Sequence, residues 1–136
     1  MFDSIQSDAR GKLLLRLTVG ILMLFHGVAK IMNPGTLEYI GTSIASMGYG
    51  LPPAIAYGVY LGEVVAPLMI IFGLFSRIGG FIVAANMLVA IVLVHVGDVF
   101  ALTSHGGWQL ELQAFYLLGG LSIMLLGSGR IAIRAD

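Results

Sequence analysis

Residues 53–97 read PAIAYGVYLGEVVAPLMIIFGLFSRIGGFIVAANMLVAIVLVHVG, two long apolar runs parted by Ser76-Arg77. A helix that crosses a bilayer needs about 20 mostly apolar residues. The runs 53–75 and 78–97 both reach that length, and so do 12–32 and 108–127. Asn33-Pro34-Gly35 ends the first, and Ser104-His105-Gly106-Gly107 precedes the last, where Trp108 stands as an interfacial aromatic. The expectation is an all-α membrane protein, a four-transmembrane-helix bundle forming a single domain over 1–136.

Composition agrees with that solvent. The chain is 58% hydrophobic and 10% charged, where a soluble domain carries about 25% charged residues. Seven basic and seven acidic side chains cancel, which leaves no electrostatic footprint for nucleic acid. There is no cysteine, so disulfides, thiol redox chemistry and iron–sulfur ligation by thiolates are excluded. Met1 to Gly11, with Asp3, Gln6, Asp8 and Arg10, reads as a short tail outside the membrane before an uncleaved span, because no A-x-A site follows the apolar run.

Between spans one and two, Leu37, Ile40, Ile44 and Met47 recur at helical spacing. They predict a short amphipathic helix lying in the interface, capped by Asn33 with Pro34 in its first turn and ended by Gly48. Threading the spans alternately puts Arg10, Lys12, Arg16, Arg77, Arg130 and Arg134 on one side and Lys30 on the other. This positive-inside bias predicts that both termini are cytoplasmic.

With that orientation, His26, Lys30, His95, Asp98, His105, Glu111 and Gln113 fall in the outer part of the membrane or just beyond it, while Glu63 and Asn86 lie nearer mid-depth. An ionisable group inside a span costs about 2.5–3.5 kcal/mol on insertion scales, so such groups face the bundle interior and pair with one another. A polar pocket open to the outer side is the inference, lined by His26, Glu63, Asn86, His95 and Glu111. Glu63 stands in a small-residue stripe, Gly58, Gly62 and Ala66, that lets a neighbouring helix approach. Pro67, four residues on, deprives the Glu63 carbonyl of its helical partner and predicts a kink.

The remaining polar residues have plainer alternatives. Lys30 shares a face with His26 and reads most simply as an anchor snorkelling to the interface. Asp98 and His95 suit a solvated helix terminus as well as a site, and His105 a surface loop. Asn86 serves equally as helix–helix glue. Glu111 is preferred over Gln113 because Phe115, Leu118 and Ser122 continue its face. Arg16 reads as a snorkelling topology determinant. Imidazole and carboxylate ligands suit zinc, iron or copper, yet no H-x-x-E-H or H-E-x-x-H spacing occurs, so no metal site is assigned. A bis-histidine haem between His26 and His95 has no better support. The pairs His26/His95 and Glu63/Glu111 also suggest a parallel repeat of two hairpins.

Taken in order, Leu15-Arg16-Leu17, Phe25-His26-Gly27 with Lys30, Gly62-Glu63, Phe72-Gly73-Leu74-Phe75-Ser76-Arg77, His95 and Gly127-Ser128-Gly129-Arg130 resemble the DoxX family over nearly the whole chain. Two departures are local. The family's terminal G-P-G-R-Y-S-l-D is replaced by Gly-Ser-Gly-Arg-Ile-Ala-Ile, and the small pair usual after the glutamate is Val64-Val65. The resemblance implies a bacterial inner-membrane protein associated in some relatives with quinone-linked oxidation, as in the membrane subunit of an archaeal thiosulfate:quinone oxidoreductase. It carries His26, Lys30, Glu63, Arg77, His95 and Glu111 over as matched positions; Lys30 and Arg77 from that set, with Asp98 at the end of the third span, are the secondary site candidates. A related family passes disulfide electrons to quinone through cysteine pairs, a route closed to this chain.

Two function classes follow. One is a redox-associated protein, a candidate subunit of a quinone-dependent oxidoreductase, that binds a quinone-like or other small amphipathic molecule and works with a soluble redox partner. The other is a non-catalytic scaffold that anchors another subunit or handles a metal or lipid. A transporter is disfavoured because four short spans leave little room for a gated path, unless the protein forms a homo-oligomer through Gly58 and Gly62.

Overall fold

The computed structural model describes residues 2–136, with side chains from Ser7 onward, so Asp3 and Gln6 of the expected tail lie outside the described side chains. Among the described residues five main helices form, besides a short 3-10 turn at Val96–Asp98: α1 (Phe2–Met32), α2 (Pro34–Ser46), α3 (Pro53–Phe72), α4 (Ser76–Leu93) and α5 (Glu111–Leu126). Among the described residues there is no strand, only two isolated bridges. α1, α3 and α4 are each long and apolar enough to cross a membrane, and α5 is a shorter apolar helix. The chain is an all-α membrane protein built as a helix bundle.

α1 starts earlier than the expected span. The residues before Lys12, expected as a short tail outside the membrane, are helical, and an i,i+4 ion pair, Lys12 Nζ to Asp8 Oδ2 at 2.9 Å, sits on that extension. At 31 residues α1 is about 46 Å long, well beyond the hydrocarbon core. α5 departs the other way. Its helix begins at Glu111, three residues after Trp108, because residues 101–109 fold into a small cap. Trp108 Nε1 donates to Val99 O at 2.7 Å, and the Gln109 amide donates to Ala101 O at 3.0 Å, which holds that segment out of the helix.

α2 buries Leu37, Gly41 and Ile44, one stripe at i, i+4 and i+7. It ends as expected, with Gly48 in the left-handed region just past the helix. Asn33 stands before Pro34, but its side chain does not cap α2; Nδ2 turns back and donates to Ala29 O at 3.0 Å, closing the end of α1.

One core joins all four apolar helices: Val19 and Met23 of α1, Ala66 and Ile70 of α3, Val83 and Met87 of α4, Tyr116 and Ile123 of α5. Much larger apolar side chains lie outside it, among them Phe25, Phe81, Phe115 and Leu125. In water such a surface would be unstable against association; in lipid it is the solvent-facing side.

The antiparallel run of the helices gives the bundle two polar ends. At one lie the first half of α1, the ends of α3 and α5, and the start of α4. There Arg16 is buried, 1% exposed, with Nε donating to Ile70 O at 2.8 Å, Nη1 to Ser128 O at 2.7 Å and Ile131 O at 2.6 Å, and Nη2 to Ile71 O at 3.1 Å. The snorkelling role expected of Arg16 is therefore wrong: its guanidinium collects the orphan carbonyls at the end of α3 and of the segment after α5. Gly73, with φ of 67°, leaves room beside it.

The chain after α5 is sewn onto the same end. Ile133 and Arg134 amides donate to Phe72 O and Gly73 O, and Asp136 accepts from the Arg77 amide at 2.9 Å and the Ser128 amide at 3.0 Å. Burial pushes the Asp136 carboxyl up, but hydrogen bonds from the Arg77 amide and from Ser128, together with the Arg77 charge, outweigh it and leave the group below its ordinary value.

Candidate functional site

The other end holds Lys30, Glu63 and a cavity. Glu63 lies where α3 widens into one π-helical turn, Leu61–Val65, with the Ala66 amide reaching back to Leu61 O. The cause is in the sequence. Pro67 has no N–H for the Glu63 carbonyl, and a wider turn absorbs the mismatch. Gly27 of α1 then packs directly on that carbonyl; a β-carbon at residue 27 would collide with it. Gly62 does the same for α4, since its missing side chain is replaced by that of Asn86. The widened turn and two glycines thus draw α1 and α4 onto α3 around Glu63.

Lys30 Nζ donates to Glu63 Oε2 at 2.6 Å, and the two side chains are only 17% and 8% exposed. Lys30 is therefore not the snorkelling anchor the sequence suggested. Bringing either charge alone into this setting is costly, and pairing is what makes both tolerable.

A cavity of about 130 Å³ opens on this pair. α1 lines it with Met23, His26 and Lys30, one helical stripe; α3 with Glu63; α4 with Met87 and Ala90; α5 with Leu112, Gln113 and Tyr116; His95 closes it just past α4. The His26 and Tyr116 rings meet edge to face, centroids 5.6 Å apart. Gln113 Oε1 is buried without a hydrogen-bond partner. His95 stands 3.5 Å from Asp98 through Nδ1 at the partly exposed rim.

The predicted site residues divide as follows. His26, Glu63 and His95 line this cavity, and so does Lys30. Asn86 faces the adjoining space on the other side of Glu63. Glu111 is exposed at the first turn of α5 and does not line the cavity; Gln113 does. Arg77 is at the opposite end, donating through Nη1 to Met124 O at 3.0 Å and Leu125 O at 2.8 Å as a cap for α5. The suggested repeat does not extend to these positions, because Glu63 is buried in mid-helix while Glu111 is exposed at a helix start. Among the described residues no group of three or more His, Asp or Glu side chains could hold a metal ion.

Tyr116 and Gln113 are the polar lining residues outside the predicted site set. The signal was present. Gln113, Tyr116, Gly120 and Ile123 form the inward stripe of α5, whereas Phe115 and Leu118, used to favour Glu111, face outward. In a bilayer the large apolar residues of a helix point to lipid, while small and polar ones face the neighbouring helices.

A profile of the DoxX family matches residues 11–96. The chain belongs to the DoxX family. This match takes in Arg16, His26, Lys30, Glu63, Arg77, Asn86 and His95 and stops before α5. The DoxX chain is 30% identical over 124 residues to a Bacillus subtilis (strain 168) protein named "Putative oxidoreductase CatD", covering 90% of this chain and 84% of that one. It is 32% identical over 123 residues to an uncharacterized Haemophilus influenzae (strain ATCC 51907 / DSM 11121 / KW20 / Rd) protein, covering 88% of this chain and 84% of that one. No solved structure matches it.

Proposed function

We propose that this DoxX protein resides in the bacterial inner membrane with both termini cytoplasmic, and that its outer-side cavity binds the head of a quinone-like or similar small amphipathic molecule in quinone-linked redox chemistry. The observation that carries this is the Lys30–Glu63 ion pair, 2.6 Å long and facing a cavity that also holds His26, Gln113, Tyr116 and His95. The basic bias toward the Arg16 end supports that orientation.

The chemistry suits such a head group. Lys30 keeps N–H protons beyond the one given to Glu63, and the Tyr116 hydroxyl and a His26 N–H can donate to a quinone carbonyl. The Gln113 Oε1 awaits a donor, which a quinol hydroxyl provides. Glu63 is placed to take or return the proton that accompanies reduction. The name of the Bacillus subtilis relative points the same way, toward an oxidoreductase. Electrons would come from a soluble partner on the outer side, since this chain has no thiol to supply them.

The test is ubiquinone and menaquinone binding to purified protein in lipid nanodiscs, comparing wild type with Glu63→Gln and His26→Ala. Saturable binding weakened by about tenfold in Glu63→Gln, equal to about 1.4 kcal/mol, supports the reading. No binding by a folded wild type overturns it and leaves the scaffold role, anchoring another subunit.

A further inference from the structure

The polar cavity does not end at the ion pair. A second space of about 130 Å³ shares its Lys30, Glu63, Ala90 and His95 wall and is otherwise lined by apolar side chains of α2, α3 and α4 with Asn86. That space in turn shares Ile44, Val59, Asn86, Val89 and Leu93 with a groove of about 380 Å³. Only Asn86 among the groove's lining residues is polar, and the groove runs between α3 and α4 past Ile55, Gly58, Phe81 and Ala85. Ligand cavities are usually about 300–1,000 Å³. The cavity at the ion pair fits a head group alone, and the groove has room for a chain.

We infer that the groove between α3 and α4, roofed at one end by Ile44 of α2, holds the single hydrocarbon tail of the molecule whose head meets Lys30 and Glu63, and that this molecule enters sideways from the bilayer. The inference rests on the proposed head-group site and adds the ligand's class: one polar ring or head on one flexible apolar chain. Continuity carries it, since three spaces share walls in series, from charged through mixed to apolar. Charge selects against a phospholipid, because Lys30 is already neutralised by Glu63 and offers an anionic phosphate no net attraction. The groove is open at Gly58: nothing lies within 4 Å of where its β-carbon would be, so a longer side chain there would enter the space.

Tail burial adds little free energy here, because the tail is already in an apolar solvent when it leaves the lipid. The groove acts by letting the head reach the ion pair. Filling it therefore discriminates by tail.

The experiment compares a long-tailed and a tailless benzoquinone on wild type, Gly58→Leu and Ala85→Leu, all in nanodiscs, with helix content checked by circular dichroism. The expected result is a loss of about tenfold or more for the long-tailed probe in the filled variants, with the tailless probe held within about twofold. Wild-type affinity for both probes in both filled variants overturns the groove and leaves the head-group site standing. Failure of wild type to bind either probe overturns the head-group site and the groove with it. Retention of a phospholipid that the long-tailed quinone cannot displace also contradicts the assignment. A quinone carrying a photoreactive group on its tail should label α3 and α4 near Gly58 and Ala85; labelling confined to the outer face of α5 would contradict it.

Discussion

Each end of this bundle draws a cation inward, Arg16 fully buried and Lys30 partly exposed, and the two are treated in opposite ways. Arg16 gives hydrogen bonds to four backbone carbonyls, from Ile70, Ile71, Ser128 and Ile131, within 3.1 Å. Lys30 meets a single carboxylate and faces open space beside an unpartnered amide oxygen. A planar guanidinium with several fixed donors suits the first task, and a compact ammonium on a flexible stem suits the second. The contrast separates a charge spent on holding helix ends from one kept available to a ligand.

The largest effect should come from breaking the saturated end. Arg16→Ala leaves carbonyls unpaired at the end of α3 and in the segment after α5, and a loss of about 3–5 kcal/mol is expected. Thermal unfolding in detergent reads it; Arg16→Lys should recover only part, because an ammonium cannot reach the carbonyls as a fork. A loss below about 1 kcal/mol would make the two ends alike and remove the contrast.

At the open end the pair should behave as a unit. Lys30→Met and Glu63→Gln should each weaken ligand binding, and a double-mutant cycle on stability should show coupling of about 0.5–3 kcal/mol. Additive effects would mean that the short Lys30–Glu63 contact carries no energy of its own. Gly27→Ala is expected to cost about 1–3 kcal/mol by driving α1 off the Glu63 carbonyl. It should also weaken ligand binding, which a similar substitution at Gly11, where no atom lies nearby, should not.

Those predictions concern residues whose roles the sequence disclosed unevenly. The apolar runs announce the helices by length, and Glu63 announces itself as an acid inside a span. The π turn is traceable to Pro67, and the close packing to Gly27 and Gly62. Arg16 looks like a snorkelling anchor in the sequence, as a basic residue near the end of a span commonly is, because its partners lie 54 to 115 positions away along the chain. Lys30 looks like one for the same reason, its carboxylate being 33 positions distant. The face shared by Glu111, Phe115 and Leu118 would be the inward one in a soluble protein, where the apolar stripe of a helix packs on the core. In lipid the preference inverts, and the inward stripe of α5 is the one with Gly120, Tyr116 and Gln113.

The smallest effect is in acid. Asp136 lies below its ordinary value when folded, so its contribution is fully present above the unfolded carboxylate value of about 3.9 and is lost as pH falls through the lower folded one. The stability difference between wild type and Asp136→Asn should thus be constant from neutral pH down to about pH 5 and shrink below it. A difference that persists unchanged at the lowest pH would show that the carboxylate charge plays no part in holding the chain after α5.

The central claim is that the Lys30–Glu63 end is a ligand site. A density map of the protein purified with its native lipids tests it most directly. The account predicts non-protein density with a flat head within hydrogen-bonding distance of Lys30, Gln113 or Tyr116 and a tail running between α3 and α4. A native bound molecule seated elsewhere, with only water beside Lys30 and Glu63, would contradict it.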